Sequence, residues 1–307
     1  MPNGANPTKR QHFVPQVYLR GFSPDYRREG GSESGCVYWY DLVNNEQSNM
    51  PVPVKSICAA DWLYEFRDDN DKFIDTNHLE NILSCFEERF AQHRRTLERF
   101  AFNEENYKIE SFLRTEEKQF WFAFIMIQMM RTSDVMKQAS QAIMEVGGDR
   151  LTKQKADIIS KVLCMPFYRK YVPDGKKTAF DVFLEPMLNM SIGVGVDPSG
   201  MLVTSDRPVF VVCKDGVPCE EYERVLFPVS AQLCIYLIGK DDKKQCRKNF
   251  LFPISDEERA EVLKSMAAAP VRKIYANHRL NEREIFLIKE VREESGQSSY
   301  FTGEPAR

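Results

Sequence analysis

The sequence has no run of about 18 apolar residues, so it offers no membrane-spanning helix. Its first seven residues, Met1 to Pro7, hold no apolar stretch of the kind a secretory signal requires, and a cytoplasmic protein without a membrane partner is expected. None of its eight cysteines forms a Cys-x-x-Cys pair, which argues against a zinc ribbon or a thioredoxin-type dithiol. Scattered in apolar contexts, they read as buried, reduced side chains. Positive charge is not in excess either. A net charge of -3 and a pI near 6.0 argue against coating nucleic acid through bulk charge, although a local basic patch stays open. P-loop, Rossmann fingerprint, G-x-S-x-G elbow and H-E-x-x-H are all missing, which disfavours an ATPase, a dehydrogenase, a serine hydrolase and a zincin. Gly193 and Gly195 have the spacing of a phosphate cradle but no third glycine, so Ile192–Val196 reads as a glycine-dotted strand.

What is present is an ordinary globular composition, 43% hydrophobic and 28% charged over 307 residues. The length fits one α+β domain over residues 1–307, with 1–10 and 294–307 as polar tails. Residues 24–35 read as an exposed loop. Strands are expected at Cys36–Leu42, near Met50–Val54 (an edge, because of Pro51 and Pro53) and at Trp62–Phe66. Apolar positions at helical spacing place a helix over Asn77–Phe100. A second helix starts at Thr115-Glu116-Glu117, is apolar nearly all round and belongs to a block that Gly147-Gly148 closes. A third spans about Thr152–Leu163. Thr178–Val196 is ambiguous, with Met187–Val196 extended. Strands follow at Met201–Ser205, Val209–Val212, Tyr222–Val229 and Leu233–Gly239, with Lys214-Asp215-Gly216 as a turn. Helices at Ser255–Ala268 and Asn277–Val291 close the chain. Strands, then helices, then strands and terminal helices is an α+β order.

The most informative stretch is Gln11-His12-Phe13-Val14-Pro15-Gln16-Val17-Tyr18-Leu19-Arg20-Gly21-Phe22-Ser23. A chain terminus is poorly ordered unless tied down, and Phe13, Val14, Tyr18, Leu19 and Phe22 give this one apolar surface to bury. His12 and Arg20 would then be fixed in place. His12 is a candidate general base or metal ligand, with a backbone-holding histidine as the alternative. Glu80 and Glu87 lie two turns apart on one helix face, as a cation-holding or acid–base pair would, or as a solvated stripe balanced by Arg89, Arg94 and Arg95. Glu80, beside Leu79, Ile82 and Leu83, is the stronger of the two. Gln128 and Arg131 share a face of the most apolar helix. A buried arginine there needs a partner, either a carboxylate such as Glu80, Glu87 or Asp206, or an anionic ligand gripped bidentately. Asp206 stands on a strand-to-proline turn, placed for catalysis or for an Asx-turn. Asn277 is a ligand contact or the N-cap of the last helix. His78, His93 and His278 are assigned no chemistry.

The opening motif, the helical glutamates, Gln128-Met129-Met130-Arg131-Thr132 and Thr204-Ser205-Asp206-Arg207-Pro208 together resemble the family of domain of unknown function 4238. Its members begin with a His-Phe-Val-Pro-Gln, Tyr-Leu-Arg, Phe-Ser pattern. The similarity runs from His12 to the helix after Asn277, and this chain departs from it by the 24–35 insertion and a charged tail. The resemblance implies a bacterial-type soluble protein and brings no established activity.

Were the candidates to converge, His12, Glu80 and Asp206 would be catalytic, and Gln128, Arg131, Arg20 and Asn277 would bind substrate. Glu80, Glu87 and Asp206 would hold Mg²⁺ or Mn²⁺ to activate water against a phosphodiester. The expectation is a metal-dependent nuclease or nucleotide hydrolase. The family's bacterial distribution associates it with toxins or phage-defence effectors. A trio without metal, with His12 as base, is a variant. The alternative is a non-enzymatic binder or sensor of an anionic small molecule or nucleotide.

Overall fold

The computed structural model describes residues 8–25, 35–165, 167, 175–213, 222–239, 249–268 and 272–295. The expected turn at Lys214–Gly216 and most of the 24–35 loop and the two tails lie outside them. The chain enters as strand β1 (Arg10–His12), followed by the short helix α1 (Gln16–Leu19). Strands β2 (Cys36–Asp41), β3 (Glu46–Gln47), β4 (Val52–Pro53), β5 (Ala59–Asp61), β6 (Phe66–Arg67) and β7 (Phe73–Asp75) follow. The helical block is α2 (His78–Ala101), α3 (Thr115–Met130), α4 (Ser133–Gly147), α5 (Lys153–Cys164) and α6 (Ala179–Met187). The last third holds β8 (Ser191–Val196), β9 (Thr204–Ser205), β10 (Phe210–Cys213), β11 (Tyr222–Ser230), β12 (Leu233–Ile238) and β13 (Asn249–Pro253). It ends with α7 (Asp256–Ala268), β14 (Lys273–Ala276) and α8 (Glu282–Ser295). This is the expected α+β order.

Two five-stranded sheets organise these elements. One runs β10-β11-β12-β8-β13, antiparallel except for the parallel pair β8–β13. The other runs β3-β2-β14-β9, with β4 also paired to β2. The strands of the first sheet are apolar on both faces, and the period of two sorts their residues. Val225, Phe227, Val229, Leu233, Ile235 and Leu237 face the helical block. Leu226, Cys234 and Tyr236 face a second core formed with Val262, Leu263 and Met266 of α7, Ile274 and Ile288. In β8 a Cβ on Gly195 would stand 2.7 Å from Ile254 and 2.9 Å from Tyr236, so the glycines make room for the side chains above them.

α3 is buried nearly all round, as its sequence predicts. Its Phe124 stacks on Phe90 of α2 with ring centroids 4.4 Å apart. Tyr18 of α1 in turn stacks on Phe227 of β11 at 5.3 Å and touches Phe90 at 5.9 Å. This aromatic column joins the N-terminal arm, two helices and the sheet. The Tyr18 hydroxyl donates to Pro228 O at 2.7 Å, so Thr204 Oγ1, 2.6 Å away, donates to it.

Some expectations are corrected. Of the strand expected at Trp62–Phe66, Trp62 to Glu65 form the link between β5 and β6, with Trp62 at φ 59°, and Phe66 alone is in a strand, as the start of β6. The helical block breaks at Arg131–Thr132, where α4 begins. The last helix begins at Glu282, capped by Asn281, whose Oδ1 accepts Glu284 N at 3.0 Å; Asn277 instead follows the end of β14. Arg94 does not balance a solvated stripe: it is buried, and its Nη1 donates to Val17 O at 2.8 Å. β13 and β14 have no counterpart in the sequence-based reading.

Candidate functional site

The arm folds back. β1 pairs with β5, matching Gln11 to Ala60 and His12 to Ala59, and Phe13 N donates to Cys58 O at 2.9 Å. Alternation turns Gln11 inward, where its amide is satisfied at both ends: Nε2 donates to Glu65 Oε1 and Oε1 accepts Tyr64 N, each at 2.7 Å. Glu65 also caps the start of α2 by accepting Asn77 N at 3.1 Å, and Lys161 Nζ donates to its backbone carbonyl at 2.7 Å. Val14, Tyr18, Leu19 and Phe22 are fully buried. Gly21 is required here, because a Cβ would stand 2.8 Å from Arg94 Nη1 and 3.1 Å from Val229 O.

His12 is half-buried. Its Nε2 lies 3.3 Å from Lys55 O, a contact only an N–H can make, which leaves Nδ1 as the basic nitrogen, 3.5 Å from Gln16 Nε2. Burial holds the imidazole below its ordinary value against the Lys55 hydrogen bond, and the charges of Arg10 and Arg131 act in the same direction as burial.

Arg131, at the C-terminal end of α3, is the hub. It is 1% exposed, with Nη2 donating to His12 O at 2.6 Å, Nε to Tyr64 Oη at 3.0 Å and Nη1 to Glu87 Oε1 at 3.0 Å. Tyr64 Oη donates to the same His12 carbonyl at 3.1 Å. Burial opposes the guanidinium charge, and Tyr64 and Glu87 more than offset it. Tyr64 is itself pushed up to about 12, mainly by burial. The clamp expected to grip a ligand is thus committed to partners within the chain, because its helix end is sealed under the arm.

Glu80 and Glu87 share a face of α2, as their spacing predicts, but their environments differ. Glu87, 25% exposed on its side chain, is the ion-pair partner of Arg131. Glu80 is half-buried, and its Oε2 is enclosed without a hydrogen-bond partner. Burial raises it to about 7, against the attraction of Arg131 and with added repulsion from Glu87 and Glu65. One of the two carboxylates on this face is thus a raised, partly enclosed acid, and the other is bonded to Arg131.

The remaining candidates do not join this group. Asp206 sits on the turn after β9, where both carboxylate oxygens accept Arg272 N at 3.2 Å and its own N donates to Lys273 O. It closes the β9–β14 edge, with burial raising it to about 6. The set Glu80, Glu87 and Asp206 is therefore not assembled around one ion. Among the described residues no group of three or more His, Cys, Asp or Glu side chains is placed to hold a metal. Arg20 lies half-buried in the turn after α1, its Nε enclosed without a partner. Asn277 Nδ2 donates to Gly200 O at 2.8 Å, and its Oδ1 accepts from His278 Nδ1 at 2.8 Å, so it ties loops together. His278 Nε2 meets Glu284 at 3.0 Å. Gln128 is 1% exposed with neither amide atom partnered.

Sequence reasoning missed Gln11, Tyr64, Glu65 and Lys161. Gln11 adjoins His12 in the opening motif, and strand alternation there would have singled it out as the inward neighbour. A cleft of about 820 Å³ opens between α4, α5 and the β6–β7 turn, lined by Arg67, Lys137, Gln141, Glu145, Lys153 and Asp157 among others, with none of the candidates on its walls.

A family model described as a protein of unknown function, DUF4238, matches residues 10–279, which include every residue of the Arg131 hub. No curated protein and no solved structure matches the chain.

Proposed function

The chain belongs to the DUF4238 family, and from that premise we propose that it is a phosphodiester-cleaving enzyme, a nuclease or nucleotide hydrolase, working by acid–base chemistry beside Arg131. The observation that carries this reading is Glu80, a half-buried carboxyl raised to about 7 with one oxygen enclosed and unpartnered. Such a group titrates near neutrality, so its protonated form is available to give a proton to a leaving oxygen. His12, held neutral with Nδ1 as its basic atom, takes a proton from the attacking water or hydroxyl. The buried charge of Arg131 favours negative charge building up nearby, acting through space. Glu87 keeps that arginine in place.

The test is cleavage of RNA, single-stranded DNA and nucleotides in EDTA, Mg²⁺ or Mn²⁺. Activity should follow a bell-shaped pH profile with its acidic limb set by His12 and its alkaline limb near 7. Glu80→Gln and His12→Gln should each lower kcat by about 100-fold or more. Absence of cleavage in every arm, or activity unchanged in both variants, overturns the proposal.

The buried positive charge of Arg131 also suits a second reading: the same face holds an anionic small molecule or nucleotide without turning it over. Binding without any turnover would select it.

A further inference from the structure

We propose that the start of α4 is a subsite for a phosphate-type oxyanion, built by Gln128, Thr132 and Arg207. Resting on the phosphodiester reading for its biological ligand, the subsite supplies the direct grip that the committed Arg131 does not.

Three side chains there have enclosed polar atoms with no partner. Gln128, 1% exposed, leaves both Nε2 and Oε1 unpaired in the helix α3, which is buried nearly all round. Thr132 lies four residues on, just past the end of α3, and is 4% exposed. It is the N-cap of the 15-residue helix α4, yet its hydroxyl neither caps the helix nor finds another partner. Such a residue normally satisfies a first-turn N–H, so a hydroxyl left out of that role is unusual. Arg207 comes from the turn after β9. That turn is fixed by Ser205 Oγ, which donates to Arg207 O at 2.7 Å and accepts Arg207 N at 3.2 Å. Arg207 Nη2 reaches Asp134 in the first turn of α4 at 3.1 Å, while its Nε is enclosed and unpaired.

An unpaired hydroxyl at the N-cap and a guanidinium bonded to the first turn thus stand at a helix start whose first backbone N–H groups have no intrahelical acceptor, and the unpaired amide of Gln128 belongs to the last turn of the preceding helix. That is a donor-rich site in the field of a helix N-terminus, which suits a tetrahedral oxyanion. Asp134 pairs with Arg207, and Asp206 is taken up by Arg272 N. An enclosed amide with neither atom bonded is costly to the fold, and a ligand that bonds it offsets that cost.

The experiment measures inorganic phosphate and a deoxydinucleotide binding by calorimetry, with unfolding followed alongside. The wild type should bind phosphate at one site, with the dinucleotide competing if the ligand is a phosphodiester and not free phosphate. Gln128→Met and Thr132→Val should each weaken binding by about tenfold. In the absence of phosphate, Gln128→Met should also raise the melting temperature, because an apolar isostere removes the unpaired amide. Phosphate binding that fails in the wild type, or that Gln128→Met and Thr132→Val leave intact, overturns the subsite. Should one variant misfold, Arg207→Gln provides the independent measurement. Loss of cleavage with phosphate binding preserved would sink the catalytic reading and leave the subsite standing.

Discussion

Replacing Glu80 with glutamine should stabilise the protein at alkaline pH. In the folded chain this carboxyl keeps its proton up to about 7 instead of its ordinary 4.5. Ionising it in place therefore costs at most about 3 kcal/mol more than ionising it in the unfolded chain. Solvent on its open side screens part of this, leaving about 1–2 kcal/mol. The folded state binds the proton more tightly, so the wild type has its full stability below pH 4.5 and loses this contribution as the pH rises through about 7. Glutamine keeps the shape and never ionises. Urea unfolding at pH 4.5 and pH 8 should give matching midpoints for Glu80→Gln and wild type at the lower pH. At pH 8 the variant should gain about 1–2 kcal/mol. A variant equal to or weaker than wild type at pH 8 would show that the ionised carboxylate is stabilised by Arg131 after all, and that Glu80 is not a neutral acid.

Arg131→Met should destabilise by about 3–5 kcal/mol, since it strands Glu87 and leaves the His12 carbonyl to Tyr64 alone. Denaturant unfolding measures the loss, and faster tryptic cutting after Arg20 would show that the arm has been released. Tyr18→Phe should cost about 1–3 kcal/mol, because Pro228 O and Thr204 Oγ1 then lose a buried partner; a midpoint unchanged from wild type would refute that role.

Much of the fold was legible because periodicity and capping agreed. Ser255-Asp256-Glu257-Glu258 starts α7 through reciprocal bonds between Ser255 and Glu258, and α2 and α5 fall within a residue or so of their apolar spacing. Where local signals were short, reading failed. β14 is four residues long and is held as a strand by β2 and β9, partners more than 60 residues away. At the site, the arm, Glu87 and Arg131 were visible as a group, since a buried arginine demands partners. Asp206 was misplaced because its turn pairs with β14, the strand the sequence did not announce. Gln11 and Tyr64 were missed because one glutamine and one tyrosine carry no charge to be explained.

The buried arginines Arg94 and Arg131 each address the arm through a carbonyl oxygen, of Val17 and of His12. Peptide oxygens are the same whatever residue bears them, so the mount is blind to the identity of side chain 12. Exchanging that imidazole leaves both arginine bonds in place and removes only its own contact with Lys55 O at 3.3 Å and with Gln16. Position 12 is thus a socket whose occupant can be swapped, and any change in reactivity that follows reports on the imidazole alone.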